Sequence, residues 1–469
     1  MNISKCLRRA VVLPRIHRRF NSTKPPRILR PPELDIRGIV NNHESMRDNC
    51  IKRNLPKAAA SIEEIIALDA QRREQIQLSQ PLIKEQHRLL GELQGLDDAG
   101  RQNIFSQLKE IKSQLAKINK QEKEVTDRLT TLASSLPNWR HPDVPPTILE
   151  CGTVGEKEEK HYPVPDHLEI GERLGILNMA AAARATGHAW YYLIGAGVLL
   201  EHALVSYAID QAVKRGWTLV KPPDVVRTEM VLACGFRPRD EHGDQIYQLA
   251  NSTIEQVEGT AEGAHVEGGS LSLAGTAEIP LAAMHIDKTF MESDLPIKYV
   301  GVGTAYRAEA GARGKASKGL YRVHQFTKVE LFAWTTQEKS EEMLQEIKDL
   351  QSEIISNLGL HARILDMPAE ELGNSAYRKY DMEAWMYGRG EWGEVTSASN
   401  CGDYQSRRLH TKYRTSDWKS ALHVHTLNGT AMAVPRMIIA ILESGVQKNG
   451  RVLIPKVLHK YFGGAKYIG

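Results

Sequence analysis

The chain has 469 residues, of which 41% are hydrophobic and 25% charged, the make-up of a globular protein with room for more than one domain. No apolar run reaches membrane-spanning length; the best candidate, residues 193–204, is short and contains Glu201 and His202. The five cysteines, Cys6, Cys50, Cys151, Cys234 and Cys401, show no metal-ligand spacing, so neither a disulfide framework nor a zinc site is indicated.

The net charge of +4 is local. Residues 1–30 hold nine Lys/Arg and no Asp/Glu, leaving 52 basic against 57 acidic residues in the remainder. The leader is Arg-rich and free of acids, with Ser, Thr and apolar residues between, which is the pattern of an organellar transit segment. A basic arm that binds nucleic acid directly is the alternative. Pro14 and Arg15 interrupt the apolar core that a secretory signal needs. Processing is expected near residues 20–23, and the mitochondrion is the expected compartment as the commoner destination.

Residues 61–136 carry heptad spacing. In the second half Ile104, Leu108, Ile111, Leu115, Ile118, Val125, Leu129, Leu132 and Leu136 recur at four and three, broken once at Glu122. The first half has a rougher seam through Ile62, Ile65 or Ile66, Ile76, Ile83, Leu90 and Leu93, and residues 91–100 read as a turn. Two helices joined by a turn predict an antiparallel hairpin with arms of roughly 50 Å. Pro137, Pro142, Pro145 and Pro146 then form a linker. The charged faces suit a solvated structural or dimerising arm, or a probe for RNA backbone if the main domain handles RNA.

From about residue 160 the pattern is mixed. Helices are predicted over 174–183, 198–214, 337–358 and 431–444, and strands over 218–220 and near 383–396 and 422–427. Residues 255–270 read as a surface loop. Strands and helices without a regular βαβ rhythm predict an α+β fold with an antiparallel sheet flanked by helices. No Walker or Rossmann glycine pattern occurs, so a nucleotide must bind by other means.

Residues 306–330 concentrate the unusual chemistry. They hold Arg307, Arg313, Lys315, Lys318, Arg322, His324 and Lys328 with Glu309 and Glu330. Alternation on both flanks predicts two antiparallel strands around a basic glycine-containing loop, residues 311–319. A solvated hairpin would account for that composition; so would a polyanion site with a rigid floor and a mobile basic lid.

This stretch resembles the second signature of class II aminoacyl-tRNA synthetases in its seryl-specific form. The residues TAEIPL at 276–281 look like that family's serine-pocket sequence, and EVTSASNCGDYQSRR at 394–408 like its metal-and-phosphate strand. NGTAMAVPRMIIAILE at 428–443 resembles its third signature. The helix, strand and Pro-Pro of 198–223 fit the first, dimer-forming signature, and the hairpin with its following LPN fits the tRNA-binding arm. The match spans nearly everything past the leader. It implies a transit segment (1–30), an N-terminal tRNA-binding domain (31–150) whose arm is a two-helix coiled coil, and a class II catalytic domain (151–469).

The resemblance also implies the roles. Serine and ATP form an adenylate, and serine then passes to the 3′ end of tRNA(Ser) in mitochondrial translation. The enzyme would be a homodimer using L-serine, ATP and magnesium, with no zinc and no membrane. Arg307 is matched to the serine carboxylate and α-phosphate, where a guanidinium can donate two parallel bonds. Glu309 is matched to adenine's amino group, Arg322 to the γ-phosphate, and Phe326 and Arg436 to the two faces of adenine. Ala308, Val323, Val395 and Thr396 complete the implied ATP contacts. Glu394 and Ser397 are matched to magnesium, a hard ion suited to oxygen ligands. Thr276, Ala277 and Glu278 form the implied amino-group pocket, and Glu330 and Thr430 read the serine hydroxyl.

Taken singly, each residue has a plainer reading: Glu330 as an edge charge, Phe326 as core, Thr430 as a helix cap. Their joint order and spacing favour the functional one. A second Thr-Ala-Glu at 260–262 lacks the apolar continuation and is set aside, and His324, His423 and His425 are read as structural. Two departures stand out: residues 315–318 lack the family's usual Asp, and Pro435 stands where a glycine is common. A scaffold that had lost catalysis would be expected to have lost Arg307, Glu309, Glu330, Glu394 or Arg436; all five are present.

Overall fold

The computed structural model describes residues 30–93, 98–236, 246–250, 270–308, 318–418 and 420–469. The leader up to residue 29, the second Thr-Ala-Glu, Glu309 and most of the basic loop therefore lie outside the described residues.

Three short helices, α1 (Ile36–Asn41), α2 (His43–Lys52) and α3 (Pro56–Ala60), precede the long pair α4 (Ile62–Glu92) and α5 (Asp98–Ser135). At 1.5 Å per residue the pair is about 46 and 57 Å long. The seam expected for α5 is observed: Ile104, Ile111, Leu115 and Leu129 are buried. The seam expected for α4 is half wrong. Ile62 and Ile65 are fully buried, but Ile76, Ile83 and Leu90 are 36–48% exposed, and Leu89 is buried instead. The true stripe continues through buried Asp69 and half-buried Arg72, Gln75 and Leu82. Polar residues on a seam hide its phase from any search for apolar spacing.

The arm's root is built into the body. Ile62, Ile65, Leu129, Ala133 and Leu136 share a core with Ile39, Met46 and Cys50. Arg53, 4% exposed, donates to the carbonyls of Trp139 (3.0 Å), Gly373 (3.0 Å) and Ala376 (2.8 Å).

The body is organised by one eight-stranded sheet. We number its strands β1 (Leu149–Val154), β2 (Thr218–Val220), β3 (Ile297–Tyr306), β4 (Gln325–Thr335), β5 (Ala362–Asp366), β6 (Arg378–Met386), β7 (Glu391–Asn400) and β8 (His425–Ala433). The spatial order is β1-β5-β6-β7-β8-β4-β3-β2. Every pairing is antiparallel except β2 on β3, so the fold is α+β with an antiparallel-dominated sheet, as expected.

Helices α6 (His167–Arg173), α7 (Met179–Thr186), α8 (Ala196–Lys214), α9 (Thr228–Ala233), α10 (Glu278–Ala283), α11 (Ser340–Asn357), α12 (Tyr404–Leu409) and α13 (Val434–Gly445) surround the sheet. Strand β4 shows why two layers form. Its Val329, Leu331 and Ala333 join the core built by α8, α11 and α13. Its Phe332 and Trp334 join a second core with α9 and α10. A strand covered on both faces loses the simple alternation of a half-exposed one.

Three boundaries depart from expectation. The helix expected over 174–183 starts only at Met179: Gly175 (φ +64) turns the chain after α6, and Asn178 caps α7 by accepting from the Ala181 N–H at 2.8 Å. The strand expected near 383–396 is the β6–β7 hairpin, turning at residues 387–390. The last helix starts at Val434, because residues 428–433 continue β8; Thr430 is therefore a strand residue and not a cap.

Replacing Arg53 by alanine leaves three carbonyls without their donor and should cost about 3 kcal/mol. The loss should appear as a lower melting temperature and earlier proteolytic release of residues 30–136. An unchanged melt would mean that the carbonyls are satisfied by water.

Candidate active site

Register brings the predicted residues together. Across the β8–β4 ladder Thr430 lies opposite Glu330. Across β3–β4, Gly301 lies opposite Glu330, Gly303 opposite Lys328 and Ala305 opposite Phe326. Directly opposed residues share a face, so a charged row, Lys328 and Glu330, faces a row with almost no side chains.

The two glycines make room for the TAEIPL segment. A Cβ at Gly301 would meet Leu281 Cδ1 at 2.9 Å, and one at Gly303 would meet Ala277 Cβ at 3.3 Å. With hydrogen there instead, residues 276–281 lie flat on the sheet beside Glu330. Thr276 and Ala277 are buried, and the Thr276 hydroxyl accepts from the Glu278 N–H at 3.3 Å.

Glu278 starts α10 and points into the molecule. Its Oε1 accepts from Gln405 Nε2 at 2.7 Å and from Asn428 Nδ2 at 3.0 Å. Burial, with the charge of Glu330 added, pushes its carboxyl up to about 7 against the pull of Lys328, Gln405 and Arg307. Lys328 Nζ sits 2.6 Å from Glu330 Oε2, and Glu330 is 2% exposed.

One pocket is lined by Arg307, Arg322, Val323, Phe326, Glu394, Val395, Thr396, Ser397, Thr430 and Arg436 from the expected set. Ala308 stands outside that lining, as do Thr276, Ala277, Glu278 and Glu330, which are reached through Lys328 and Thr430. Arg307 Nε donates to the Gly275 carbonyl at 3.3 Å, and its guanidinium lies 5.4 Å from the Phe326 ring centroid. Its backbone is fixed by His324, whose carbonyl accepts from the Arg307 N–H at 2.9 Å. The His324 ring meets Tyr247 Oη at 2.8 Å and stacks on Trp190.

Arg436 opens α13. Its Nη1 donates to the Glu394 carbonyl at 2.9 Å and lies 3.3 Å from the Glu394 carboxylate. Its guanidinium lies over Tyr321, 4.6 Å from the ring centroid. Pro435, in the first helical turn, removes an N–H that no helical carbonyl could accept. Glu394 opens to the pocket with 40% of its side chain accessible. Burial opposes its ionisation, but Arg436, Lys379 and Arg307 outweigh burial and hold the carboxyl well below the usual range. Asp381, opposite Ser397 on β6, is pushed up by burial and by the charge of Glu394 while bonded to Lys379 at 2.7 Å.

Four residues of this site have no role assigned from the sequence: Lys328, Tyr321, Gln405 and Asn428. Lys328 had a signal, since it alternates with Phe326 and Glu330 on one strand face. Gln405 and Asn428 lie inside quoted motifs but reveal their role only by contact with Glu278. Tyr321 gave no signal at all; its hydroxyl accepts from the Glu394 N–H at 3.0 Å.

Residues 34–140 match the seryl-tRNA synthetase N-terminal domain, and residues 263–445 match the tRNA synthetase class II core domain (G, H, P, S and T). The mitochondrial serine–tRNA ligase of Schizosaccharomyces pombe is 43% identical over 91% of this chain and 88% of its own. That of Saccharomyces cerevisiae is 37% identical over 97% of this chain and 100% of its own. The crystal structure of seryl-tRNA synthetase from Pyrococcus horikoshii complexed with ATP gives a TM-score of 0.81 at 32% identity, covering 93% of this chain and 99% of that one.

A carboxyl whose folded pKa is raised contributes its stability below the unfolded value of 4.5 and loses it as pH climbs to about 7. The wild-type melting temperature should therefore fall across that window relative to Glu278→Gln, which cannot ionise. Parallel melting curves between pH 4.5 and 7 would rule out the raised carboxyl.

Proposed function

The chain belongs to the seryl-tRNA synthetase family, and we propose that it activates serine with ATP and transfers it to tRNA(Ser). The observation that carries this reading is the meeting of Arg307, Glu394, Arg436 and Thr430 in one pocket, with Glu330 directly opposite Thr430 across the β8–β4 ladder. A serine carboxylate oxygen attacks the α-phosphorus, the bond to the β-phosphate bridge breaks, and pyrophosphate leaves. Both reactants are anions, so the chain's task is to hold them together and offset the growing charge. Arg307 bridges the carboxylate and the α-phosphate, Arg322 holds the far phosphate, Phe326 and Arg436 cover adenine, Glu309 accepts from its amino group, and Ala308, Val323, Val395 and Thr396 complete the ATP contacts.

Glu394 and Ser397 would hold magnesium, which screens phosphate charge when bound. The fit is supported by an ionised carboxylate open to the pocket and by oxygen donors only. Serine is distinguished from alanine by Glu330 and Thr430, which alanine would leave unpaired, at about 1–3 kcal/mol per group. Thr276, Ala277 and Glu278 receive the amino group.

The division into a leader (1–30), an arm-bearing domain (31–150) and a catalytic domain (151–469) is part of this reading. So is a homodimer, supported by exposed apolar Tyr192, Ile194, Leu199 and Leu219 around α8 and β2. Mitochondrial residence is supported by the acid-free leader and by the mitochondrial relatives. A fusion of residues 1–30 should carry a reporter into mitochondria, and the chain should sediment as a dimer that Leu219→Asp dissociates. A cytosolic reporter or a wild-type monomer would count against these assignments.

Serine-dependent ATP–pyrophosphate exchange tests the reaction itself. Arg307→Ala should lower kcat/KM by about 100-fold or more, and exchange that ignores this change would overturn the reading. Because the arm's root belongs to a core, the arm should be shortened and not removed. Excising residues 73–118 and joining the ends with a short glycine turn should spare exchange and abolish aminoacylation. Equal loss of both would refute the arm's part in tRNA binding.

A further inference from the structure

Behind the nucleotide end of the pocket lies a buried His–Glu pair with no part in the chemistry above. His167 is 1% exposed and Glu443 0%. Glu443 Oε1 accepts from the His167 backbone N–H and from ring Nδ1, each at 3.1 Å. Its Oε2 accepts from the N–H groups of Gly388 (2.9 Å) and Arg389 (3.3 Å). The other ring nitrogen, His167 Nε2, accepts the Leu320 N–H at 3.2 Å. That bond assigns the tautomer: Nδ1 carries the hydrogen and Nε2 is bare.

The pair reaches the pocket by two routes. His167 grips residues 318–320 directly. Gly319 (φ +65) lies against its ring, where a Cβ would stand 2.2 Å from Nε2, and Lys318 pairs with the neighbouring Asp166. Glu443, two turns along α13 from Arg436, fixes the backbone of Arg389, whose guanidinium covers Tyr321 at 4.3 Å. Tyr321 is thus held before it in the chain and over its ring. From there it accepts from the Glu394 N–H through its hydroxyl and from Arg436 Nε through its carbonyl at 3.3 Å. The next residue is Arg322.

We propose that His167 and Glu443 are positioning residues for ATP, setting Arg322, Glu394 and Arg436 through Leu320 and Tyr321. This rests on the reading of the pocket as an ATP site. A purely structural pair would secure the fold without discriminating between substrates. A positioning pair acts on the nucleotide end and spares the serine end, which Glu278 and Glu330 hold by other contacts.

Two substitutions separate the two bonds of the ring. Asparagine at 167 can mimic Nδ1–H toward Glu443 but cannot reach Leu320. Glutamine can offer an oxygen to the Leu320 N–H while giving up the Glu443 contact. In serine-dependent exchange, His167→Asn should raise KM for ATP about tenfold with KM for serine unchanged, and His167→Gln should stay within about threefold of wild type. Equal ATP KM in Asn and wild type, or a worse Gln than Asn, would overturn the proposal. Amide hydrogen exchange at Leu320 is a readout independent of turnover. It should speed in Asn and not in Gln, and unchanged protection in Asn would overturn the proposal even if the wild type showed no exchange activity. If neither variant folds, Tyr321→Phe tests the last link. It should raise KM for ATP about fivefold, and no rise would overturn the relay.

Discussion

Lys328 and Glu330 lie 2.6 Å apart on a strand buried on both faces, and their burial constrains everything built on that side of the sheet. Removing an ion pair from water costs several kcal/mol per ion, recovered only if the pair is close and its remaining polar atoms find partners. An apolar cover would leave the pair stranded. The chain instead surrounds it with Arg307, Glu278 and Thr430, and leaves the end nearer Phe326 open. The polar hole that results suits a ligand bearing both charges, which would complete what the protein leaves unfinished.

The rest of the site follows from making that hole close-fitting. Glycines on β3 let residues 276–281 approach the sheet, and Gly429 does the same for α11, where a Cβ would meet Ile347 at 2.4 Å. Gln351 of α11 then donates to the carbonyls of Ser397 (2.7 Å) and Thr430 (3.0 Å), clamping β7 and β8 where the two lines of site residues meet. Charges of both signs are fixed before any substrate arrives. That arrangement suits a reaction between two anions, because little reorganisation remains to be done as charge develops.

The legible parts of the chain were those in which one physical pattern dominated. The β3–β4 hairpin could be read from alternation and the α5 seam from heptad spacing. The α4 seam could not, because Asp69, Arg72 and Gln75 occupy it. Residues 431–433 looked helical because apolar residues run on into α13, yet pairing with β4 wins until Val434. The site residues were found by resemblance, and register explains their proximity: Glu330 and Thr430 are a hundred positions apart and directly opposed. What remained hidden were the supporting contacts. Tyr321, Gln405 and Asn428 carry no periodicity, and their importance lies in which neighbours they touch.

The arm's root is tied to the side of the site that carries Glu278. Asn138, just past the arm's root, donates to the carbonyls of Cys401 and Ser375, each at 2.9 Å. The Cys401 thiol lies 3.5 Å from Asn428 Nδ2, the amide that also donates to Glu278. Contiguity of this kind is not evidence of energetic coupling, which needs two discrete arrangements that both sites bias. It does limit what the root can do. Residues 136–138 cannot swing without breaking bonds to the loop that carries Cys401, so reorientation of the arm must be confined to the long helices beyond Ile65 and Leu129. The hairpin is therefore better described as a cantilever fixed to the loop behind Glu278 than as a module on a tether.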